Sequence, residues 1–336
     1  MSHNNSRVKV EINNLKKYFP VKKGFLRKAV GHLKAVNDVS LRIKERETLG
    51  LVGESGCGKS TLGRTIIKLY APTDGEVIFN NNGDSISVYD LGKKEMKKVR
   101  QNMQMIFQDP FSSLNERMTV MDNIIEPLVC NNIGNKKVRG DRAASLLKQV
   151  GLREGYLKRY PHSLSGGQRQ RVGIARALSI KPKFVVADEP VSGLDVSVQA
   201  QILNLLKELQ SEYKLTILFI SHDLGVIRYI ANRIAVMYTG KIVEIAKREK
   251  LLNSTKHPYT EALLSSVPKL GAKKDRIILE GTPPDPVELP EGCIFSSRCL
   301  YSQDICYNES PELTKQKGDH FVACHFSDSL DLRGIN

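Results

Sequence analysis

A short run near the start of the chain has the residue types and spacing of a phosphate-binding loop. It reads Gly53-Glu54-Ser55-Gly56-Cys57-Gly58-Lys59-Ser60-Thr61 and matches the pattern G-x-x-x-x-G-K-[ST] without a gap. Glycines let the backbone approach an anion, so that successive N–H groups can point at phosphates from the start of a helix. Lys59 would add a positive charge there, and the Ser60 hydroxyl could bind Mg²⁺. We therefore predict that this loop binds a nucleotide.

The segments on either side of the loop support this prediction. An apolar run from Thr48 to Val52 precedes it, and apolar residues with helical spacing follow it at Leu62, Ile66 and Leu69. A chance glycine-rich turn is the alternative interpretation, and it does not predict a strand before the loop and a helix after it. The order strand, glycine loop, helix is the one that a phosphate site needs.

Adjacent carboxylates follow a second apolar run. Phe184 to Ala187 has the continuous apolar character of a buried strand, and Asp188 and Glu189 come directly after it. Such carboxylates are costly to bury without a cation, and the Mg²⁺ that Ser60 would bind is the economical partner. We expect Asp188 to support the metal and Glu189, on the other face of the strand, to polarise an attacking water. An ordinary acidic turn is the alternative.

A glycine pair lies at the start of another predicted helix. The run Leu164-Ser165-Gly166-Gly167-Gln168 precedes apolar residues with helical spacing, and Ser165 is well placed to be the N-cap of that helix. The positive end of the helix dipole and the free N–H groups make this a second potential anion site.

Polar residues also end two further predicted strands. Gln108 follows the strand pattern of residues 103–107, and His222 follows that of residues 215–220. In open parallel sheets, ligands bind at the carboxyl edge of the strands, so Gln108, Glu189 and His222 are expected to converge on one crevice. Between these strands, residues 118–160 have a helical pattern, where Cys130 is expected to be a core residue. The sequence therefore predicts an α/β fold.

Composition limits the class of protein. No run of eighteen or more apolar residues occurs and the start of the chain is polar, so we expect a cytosolic protein without a spanning segment of its own. The net charge of +15 would suit an anionic lipid surface, a nucleic acid or simple solubility. The densest basic run, residues 93–100, alternates with apolar residues as a solvated helix face does.

Taken in order, these motifs resemble the nucleotide-binding subunit of an ABC transporter over roughly residues 8–250. The resemblance implies a P-loop NTPase domain of the ABC type with an inserted helical subdomain at about residues 112–163. It implies that Gln108 senses Mg²⁺ and the transporter, that Glu189 is the catalytic carboxylate and that His222 contacts the γ-phosphate. It also places Asp195, with the residues of both glycine motifs, in the nucleotide site.

The same resemblance implies an aromatic residue that stacks on adenine near residues 18 and 19. Aligning the motif on Lys17 favours Phe19, and Tyr18 is the alternative. It further implies that the LSGGQ run of one subunit closes over ATP held by the phosphate loop of another. Since this chain has one such loop, it must pair with a second cassette, for which a paralogous subunit is favoured.

The last part of the chain, residues 251–336, resembles the C-terminal extension of the ATP-binding subunits of oligopeptide and dipeptide importers. The resemblance is carried by His257 to Leu264, Pro283 to Val287 and the cysteine-bearing run that begins at Gly292. Residues 18–21 and 63–65 are most similar to the second of the two ATPase subunits of such importers. A paralogous importer of glutathione, nickel or antimicrobial peptides is the alternative.

The cysteines of this extension have the spacing C-x5-C-x6-C-x17-C, formed by Cys293, Cys299, Cys306 and Cys324. Four thiolates can bind Zn²⁺ or hold an iron–sulfur cluster, and structural zinc sites usually have cysteines two to four residues apart. The resemblance implies a [4Fe-4S] cluster, with zinc and then free thiols as alternatives. Either metal would fold a segment that has little apolar material of its own.

The sequence therefore predicts an ATPase with Mg²⁺ that drives peptide uptake through separate membrane proteins. The expected partners are a paralogous ATPase subunit, two integral-membrane permease subunits and, indirectly, an extracytoplasmic peptide-binding protein. The expected location is the cytoplasmic face of the membrane, as a peripheral protein. A soluble ABC ATPase that acts on nucleic acid is the rival from another class; since such proteins usually carry two cassettes in one chain, no nucleic-acid partner is expected.

Overall fold

The computed structural model describes residues 7–23, 28–81, 83–267 and 276–334. Of the polar start that argued against a signal segment, residues 1–10, the first six residues lie outside the described residues. The strands are β1 (Val8–Lys23), β2 (Lys28–Lys44), β3 (Thr48–Val52), β4 (Asp74–Asn81), β5 (Asp84–Ser87), β6 (Met103–Ile106), β7 (Phe184–Asp188), β8 (Thr216–Ser221), β9 (Arg233–Tyr238), β10 (Lys241–Lys247), β11 (Thr314–Lys315) and β12 (Phe321–Val322).

Helices alternate with these strands through most of the described chain. They are α1 (Lys59–Ile66), α2 (Lys93–Arg100), α3 (Pro110–Ser113), α4 (Val120–Cys130), α5 (Lys136–Gln149), α6 (Gly166–Leu178), α7 (Val196–Tyr213), α8 (Leu224–Ile230), α9 (Arg248–Asn253), α10 (Pro258–Ser265) and α11 (Asp304–Asn308). The alternation confirms the predicted α/β class. None of the helices in the described ranges combines the length and the apolar character that crossing a bilayer requires.

The chain divides into two compact units. The first, which we call the carboxylate unit, contains Met1–Lys9, Lys44–Glu47 and Asp90–Ile220 and so includes Asp188 and Glu189. The second, which we call the loop unit, contains Val10–Ile43, Thr48–Tyr89 and Ser221–Asn336 and so includes the phosphate loop.

In the carboxylate unit, a parallel sheet has the order β6-β7-β8. Every residue of β7 and β8 is buried, as expected for parallel strands covered on both faces. The register pairs Asp188 with Ile220, so the carboxylate lies at the end of the strand pair. The predicted helical stretch after β6 contains α4 and α5, which begin at the N-caps Thr119 and Asn135 and pack against each other.

Two further predictions concern helices α2 and α4 of this unit. In α2, Met96 and Val99 are buried and the basic residues are exposed, which confirms the amphipathic helix predicted for the lysine-rich run. Cys130 is exposed, so the prediction of a core residue was wrong. It is the last residue of α4, where the chain leaves the helix and the buried stripe ends.

The loop unit holds an antiparallel sheet with the order β2-β1-β4-β5 and a mixed sheet in which β3 lies parallel to β9. Antiparallel pairs then join β9 to β10, β10 to β12 and β12 to β11. The last strands, β11 and β12, come from the cysteine-bearing part of the chain. That part is therefore built onto the sheet that carries the phosphate loop, because β3 leads directly into the loop.

Strand β1 is much longer than the alternating pattern of residues 8–12 suggests. It pairs with β4 from Val10 opposite Phe79 to Lys16 opposite Asp74, with a shift in register between Asn13 and Lys16. Asn14 has a φ of 47°, in the left-handed region. Such a bulge flips the alternation of inward and outward side chains, so the period-two signal stops although the strand continues.

Candidate functional site

The phosphate loop connects the end of β3 to the start of α1, which confirms the predicted order of strand, loop and helix. Gly58 is the N-cap of α1 and has a φ of 106°. A Cβ at Gly58 would lie 2.0 Å from the carbonyl oxygen of Ala35, and one at Gly53 would lie 2.0 Å from that of Met237. Both positions therefore require glycine, because neighbouring backbone touches the loop on each side.

The ammonium group of Lys59 lies inside the loop. Its Nζ donates to the carbonyl oxygens of Gly53, at 2.8 Å, and Glu54, at 2.9 Å, and lies 3.8 Å from Cys57 Sγ. Lys59 is only 4% exposed. Sulfur is a weak acceptor, so a phosphate oxygen can replace the thiol as the third partner without breaking the bonds to the carbonyls. The lysine is thus prepared to neutralise a phosphate at the helix start.

The remaining loop residues have different surroundings. Ser55 and Gly56 are exposed, Ser60 and Thr61 are half-buried in the first turn of α1, and Cys57 is 6% exposed. Burial raises the pKa of the Cys57 thiol above its ordinary value, although Lys59 opposes this effect. Cys57 is therefore a protonated, space-filling residue.

Tyr18 and Phe19, the alternatives for stacking on adenine, make different contacts. The Tyr18 hydroxyl donates to Asn37 Oδ1 at 2.7 Å, and the Tyr18 N–H donates to Thr73. The Phe19 ring meets Tyr70 edge to face at a centroid distance of 5.7 Å, with Lys17 Nζ 4.7 Å from its centre. Both residues are half-buried. Tyr18 is tied to the sheet by its polar group, whereas the Phe19 side chain contacts Tyr70 and Lys17 through its ring.

At the end of β7, the adjacent carboxylates lie in different environments. Asp188 is fully buried, and Glu189 is half-buried with a φ of 44°, in the left-handed region that a non-glycine residue rarely adopts. The Glu189 N–H donates to the carbonyl of Ile220, which fixes this backbone. Gln108 Nε2 donates to Glu189 Oε2 at 3.1 Å. The structure therefore brings Gln108 and Glu189 together, as the convergence of strand ends predicts.

The second glycine motif forms the start of α6. Ser165 Oγ accepts from the N–H of Gln168, and Gln168 Oε1 accepts from the N–H of Ser165 at 3.1 Å, which together make a capping box. The predicted N-cap is confirmed. Gly166 and Gly167 occupy the first turn, and a Cβ at Gly167 would lie 2.5 Å from a methyl carbon of Val198. Gly167 thus lets the start of α6 pack closely against α7.

Two further predicted residues lie at exposed helix starts. Asp195 precedes α7 in the carboxylate unit, and His222 precedes α8 in the loop unit. His222 stands between Ser221, whose hydroxyl accepts from the Asp223 N–H, and Asp223, whose carboxylate caps α8. The predicted residues therefore divide between the units. The loop unit has residues 53–61, Phe19 and His222; the carboxylate unit has residues 165–168, Gln108, Asp188, Glu189 and Asp195.

The cysteines of the C-terminal part line one cavity of about 20 Å³, whose walls also include His257 and Phe295. Burial raises the pKa of Cys299 to about 12 and that of Cys324 to about 11. His325, beside Cys324, directs Nε2 at the carbonyl of Glu309, 2.9 Å away. Within the described ranges, no three His, Cys, Asp or Glu side chains are grouped closely enough to hold a metal ion.

Two residues of the C-terminal part, Tyr259 and Arg298, hold the phosphate loop and were not among the predicted site residues. The Glu54 N–H donates to the Tyr259 hydroxyl at 2.8 Å, and Arg298 Nη1 donates to both Glu54 carboxylate oxygens, at 3.1 and 3.0 Å. The arginine beside Cys299 and the buried tyrosine of α10 were visible as residue types. Nothing in their spacing indicated contact with a loop more than 200 positions earlier.

Comparisons with known proteins agree with these motifs. Residues 36–192 match the family described as "ABC transporter", and residues 243–306 match "Oligopeptide/dipeptide transporter, C-terminal region". The first match contains the phosphate loop, Gln108 and the carboxylates. The second contains Tyr259, Arg298 and the first three of the cysteines.

Similar proteins match over nearly the whole chain. Oligopeptide transport ATP-binding protein AppF of Bacillus subtilis is 50% identical, over 97% of this chain and 99% of its own length. Oligopeptide transport ATP-binding protein OppF of Haemophilus influenzae is 46% identical, over 96% of this chain and 98% of its own length.

Solved structures agree on the fold. The ATP-binding cassette MJ0796, in a dimeric post-hydrolysis state bound to ADP and Pi, is 34% identical and covers 71% of this chain and 98% of its own, with a TM-score of 0.62. CbiO1 from Clostridium perfringens, part of the ABC transporter complex cbiONQ, is 26% identical with a TM-score of 0.61 and covers 73% of this chain and 90% of its own. The chain therefore belongs to the ABC transporter family, among its oligopeptide transport ATP-binding proteins.

Proposed function

We propose that this chain is the ATP-hydrolysing subunit of an importer of oligopeptides or dipeptides. One observation carries the proposal: a lysine ammonium is buried among the carbonyls of a glycine loop at a helix start, in a chain whose full-length relatives are named oligopeptide transport ATP-binding proteins. The loop supplies the affinity for ATP, and the relatives indicate what the energy drives.

The loop unit binds the triphosphate. The first N–H groups of α1 and the loop backbone face the phosphates, and Lys59 keeps its two carbonyl partners while it exchanges the thiol contact for a phosphate oxygen. Phe19 stacks on adenine and His222 contacts the γ-phosphate. The oxygens of Ser60, Gln108 and Asp188 are the hard ligands that Mg²⁺ prefers, and this ion neutralises phosphate charge when bound.

The carboxylate unit supplies the base. Glu189 accepts a proton from the attacking water, whose oxygen forms a bond to the γ-phosphorus as the bond to the ADP oxygen breaks. Gln108 holds the Glu189 carboxylate through its 3.1 Å hydrogen bond, so the base keeps one orientation. The residue roles follow the motifs of the family, and the hydrogen bond supports the pairing of these two residues.

The two glycine motifs have different roles in the proposed assembly of the transporter. Residues 164–168 of one chain close over ATP held by the loop of a second cassette, together with Asp195, and this second cassette is a paralogous subunit. Two permease subunits dock near Gln108 and the helical subdomain, about residues 112–163, at the cytoplasmic face of the membrane. An extracytoplasmic peptide-binding protein delivers the peptide. The ATPase domain is residues 1–250, and residues 251–336 form the extension.

The test is an anaerobic pull-down of the chain from membranes, followed by assay of the recovered complex in liposomes. We expect permease subunits and a second cassette to co-purify, and ATP hydrolysis to rise when a peptide and its binding protein are added. Uptake of nickel or glutathione in place of peptides would assign the complex to a paralogous importer. Recovery with nucleic acid in place of permeases, or no affinity for ATP, would overturn the proposal.

The cysteine cavity is proposed to hold a [4Fe-4S] cluster, with Zn²⁺ as the alternative. The donor set fits both groups in kind, since Cys293, Cys299, Cys306 and Cys324 line one cavity and thiolates bind either metal, and the proposal requires these side chains to turn toward one centre on binding. The bond that His325 makes to the Glu309 carbonyl supports cysteine as the ligand. The bound cluster or zinc ion would stabilise the C-terminal part, in which the described strands and helices are short.

We predict that Cys299→Ser lowers the iron content of anaerobically purified protein to near zero and loosens residues 292–326. A hydroxyl is a far poorer ligand for iron than a thiolate, and Cys299 is one of the four cysteines that line the cavity. Iron and zinc are measured per chain, with Cys130→Ser as the matched control because Cys130 is exposed on α4. Iron that remains at the parent level in the variant would contradict cluster ligation, and zinc in place of iron would identify the alternative.

We predict that Phe19→Ala weakens ATP binding by about tenfold, because stacking on a base contributes roughly 1–3 kcal/mol. Tyr18→Phe removes only the hydroxyl that bonds Asn37 and is expected to leave the affinity within about twofold of the parent. Titration with a fluorescent ATP analogue measures both. A larger loss for Tyr18→Ala than for Phe19→Ala would assign the stacking role to Tyr18.

A further inference from the structure

The second residue of the phosphate loop, Glu54, is held at its backbone and at its side chain by residues of the C-terminal part. Its N–H donates to the Tyr259 hydroxyl at 2.8 Å. Its carboxylate oxygens accept from Arg298 Nη1 at 3.1 and 3.0 Å. The Arg298 side chain is 8% exposed and that of Glu54 is 29% exposed, so the ion pair is largely shielded from water.

These anchors are themselves fixed by packing. Tyr259 is fully buried, and its ring lies 4.6 Å from that of Tyr238 and 5.4 Å from that of Phe295. The Tyr238 hydroxyl, at the end of β9, is a further acceptor for Arg298, at 3.3 Å. An aromatic cluster therefore connects the loop to the turn that carries Arg298, and a shift of that turn would be transmitted to Glu54.

The contacts also set the charge of the loop. A triphosphate is strongly negative, and an unpaired carboxylate at Glu54 would repel it. Arg298 compensates that carboxylate, and Tyr259 takes up the Glu54 N–H and so fixes the direction of the peptide group at the entry of the loop. The loop residues that face phosphate keep their geometry only if this entry is held.

We propose that Tyr259 and Arg298 are positioning residues of the ATP site, through which the C-terminal part sets the shape and charge of the phosphate loop. Neither residue touches the triphosphate in this scheme; both act through Glu54. The inference rests on the proposed function, since it concerns the affinity of the same loop for ATP. It also gives residues 251–336 a role at the nucleotide as well as in their own fold.

The experiment compares nucleotide affinity in the full chain with N-methylanthraniloyl-ATP and Mg²⁺. Arg298→Ala is expected to weaken binding by about tenfold, which corresponds to about 1.4 kcal/mol. The double variant Glu54→Gln with Arg298→Ala is expected to return to within about threefold of the parent, because the uncompensated charge is gone. Loss of a merely structural contact would not be restored by removing its partner's charge.

Two further variants separate this effect from folding. Tyr259→Phe keeps the ring and removes the acceptor of the Glu54 N–H, so we expect weaker nucleotide binding in a chain that still folds, with a melting temperature no more than a few degrees below that of the parent. Lys256→Ala is the control: it breaks an ion pair within the C-terminal part, between Lys256 and Asp328 at 2.7 Å. This variant is expected to bind the nucleotide with parent affinity. Metal content is measured for every variant because Arg298 precedes Cys299.

The outcomes are distinct. Parent-like affinity in both Arg298→Ala and Tyr259→Phe would overturn the inference and leave the proposed function standing. A double variant as weak as Arg298→Ala would overturn the charge argument, and with it the role of Arg298. A parent chain that does not bind the nucleotide would instead overturn the proposed function. If Arg298→Ala does not fold, Arg298→Lys and Tyr259→Phe provide the test, and parent-like affinity in both would count against the inference.

Discussion

Glu189→Gln is expected to bind ATP with parent affinity and to hydrolyse it at least about a hundredfold more slowly. General-base catalysis contributes roughly 10²–10⁴-fold, and an amide cannot accept the proton of the attacking water. The geometry should survive, because the glutamine side chain has the same shape and its oxygen can still accept from Gln108 Nε2. With the partner cassette present, ATP should therefore hold the pair of cassettes closed.

Phosphate release and the size of the complex measure the two parts of this prediction. The matched control is Glu208→Gln, since Glu208 is an exposed glutamate of α7 in the same unit. It should behave as the parent does. A Glu189→Gln complex that hydrolyses ATP at the parent rate would show that another group is the base, and Gln108 and His222 would become the next residues to test.

Glu244→Ala is expected to destabilise the loop unit by about 3–5 kcal/mol, because a buried hydrogen-bond donor left without its acceptor costs roughly 1–3 kcal/mol and several donors share this carboxylate. Glu244 on β10 is fully buried, and Oε1 lies 2.7 Å from Nε2 of His320, which is also fully buried. Its carboxylate also accepts from the Thr255 hydroxyl and the Lys256 N–H, both at 2.8 Å. Alanine would leave these donors without an acceptor and open a cavity among them.

Thermal unfolding followed by circular dichroism measures this effect, and the melting temperature should fall by several degrees. The control is Asp74→Ala, which removes the exposed pair with Lys16 and should leave the melting temperature unchanged. An unchanged melting temperature in Glu244→Ala would mean that the network adds nothing to stability. The C-terminal strands would then be held by their backbone pairing and apolar contacts.

Local chemistry could be predicted from the sequence where one short motif determines it. The phosphate loop, the Ser165 cap and the approach of Gln108 to Glu189 each follow from residue types at fixed spacing or from the edge at which parallel strands end. The extent of β1 did not follow, because the bulge near Asn14 interrupts the alternation on which the prediction rested.

Contacts between distant parts of the sequence could not be predicted from local motifs or periodicity. Tyr259 and Glu54 are separated by 205 positions, and Arg298 and Glu54 by 244. The pairing of β12 with β10 adds the last part of the chain to the sheet of the phosphate loop, and two-residue strands such as β11 and β12 give almost no periodic signal. The hydrogen bond of Tyr18 to Asn37, which distinguishes Tyr18 from Phe19, likewise has no signal in the local sequence.

The pairing of Lys59 with the Gly53 and Glu54 carbonyls has a consequence for repeated turnover. An ammonium that stays bonded to its own loop does not have to be desolvated again each time product leaves and fresh substrate arrives. We therefore expect the loop to keep the same geometry when ATP leaves and binds again.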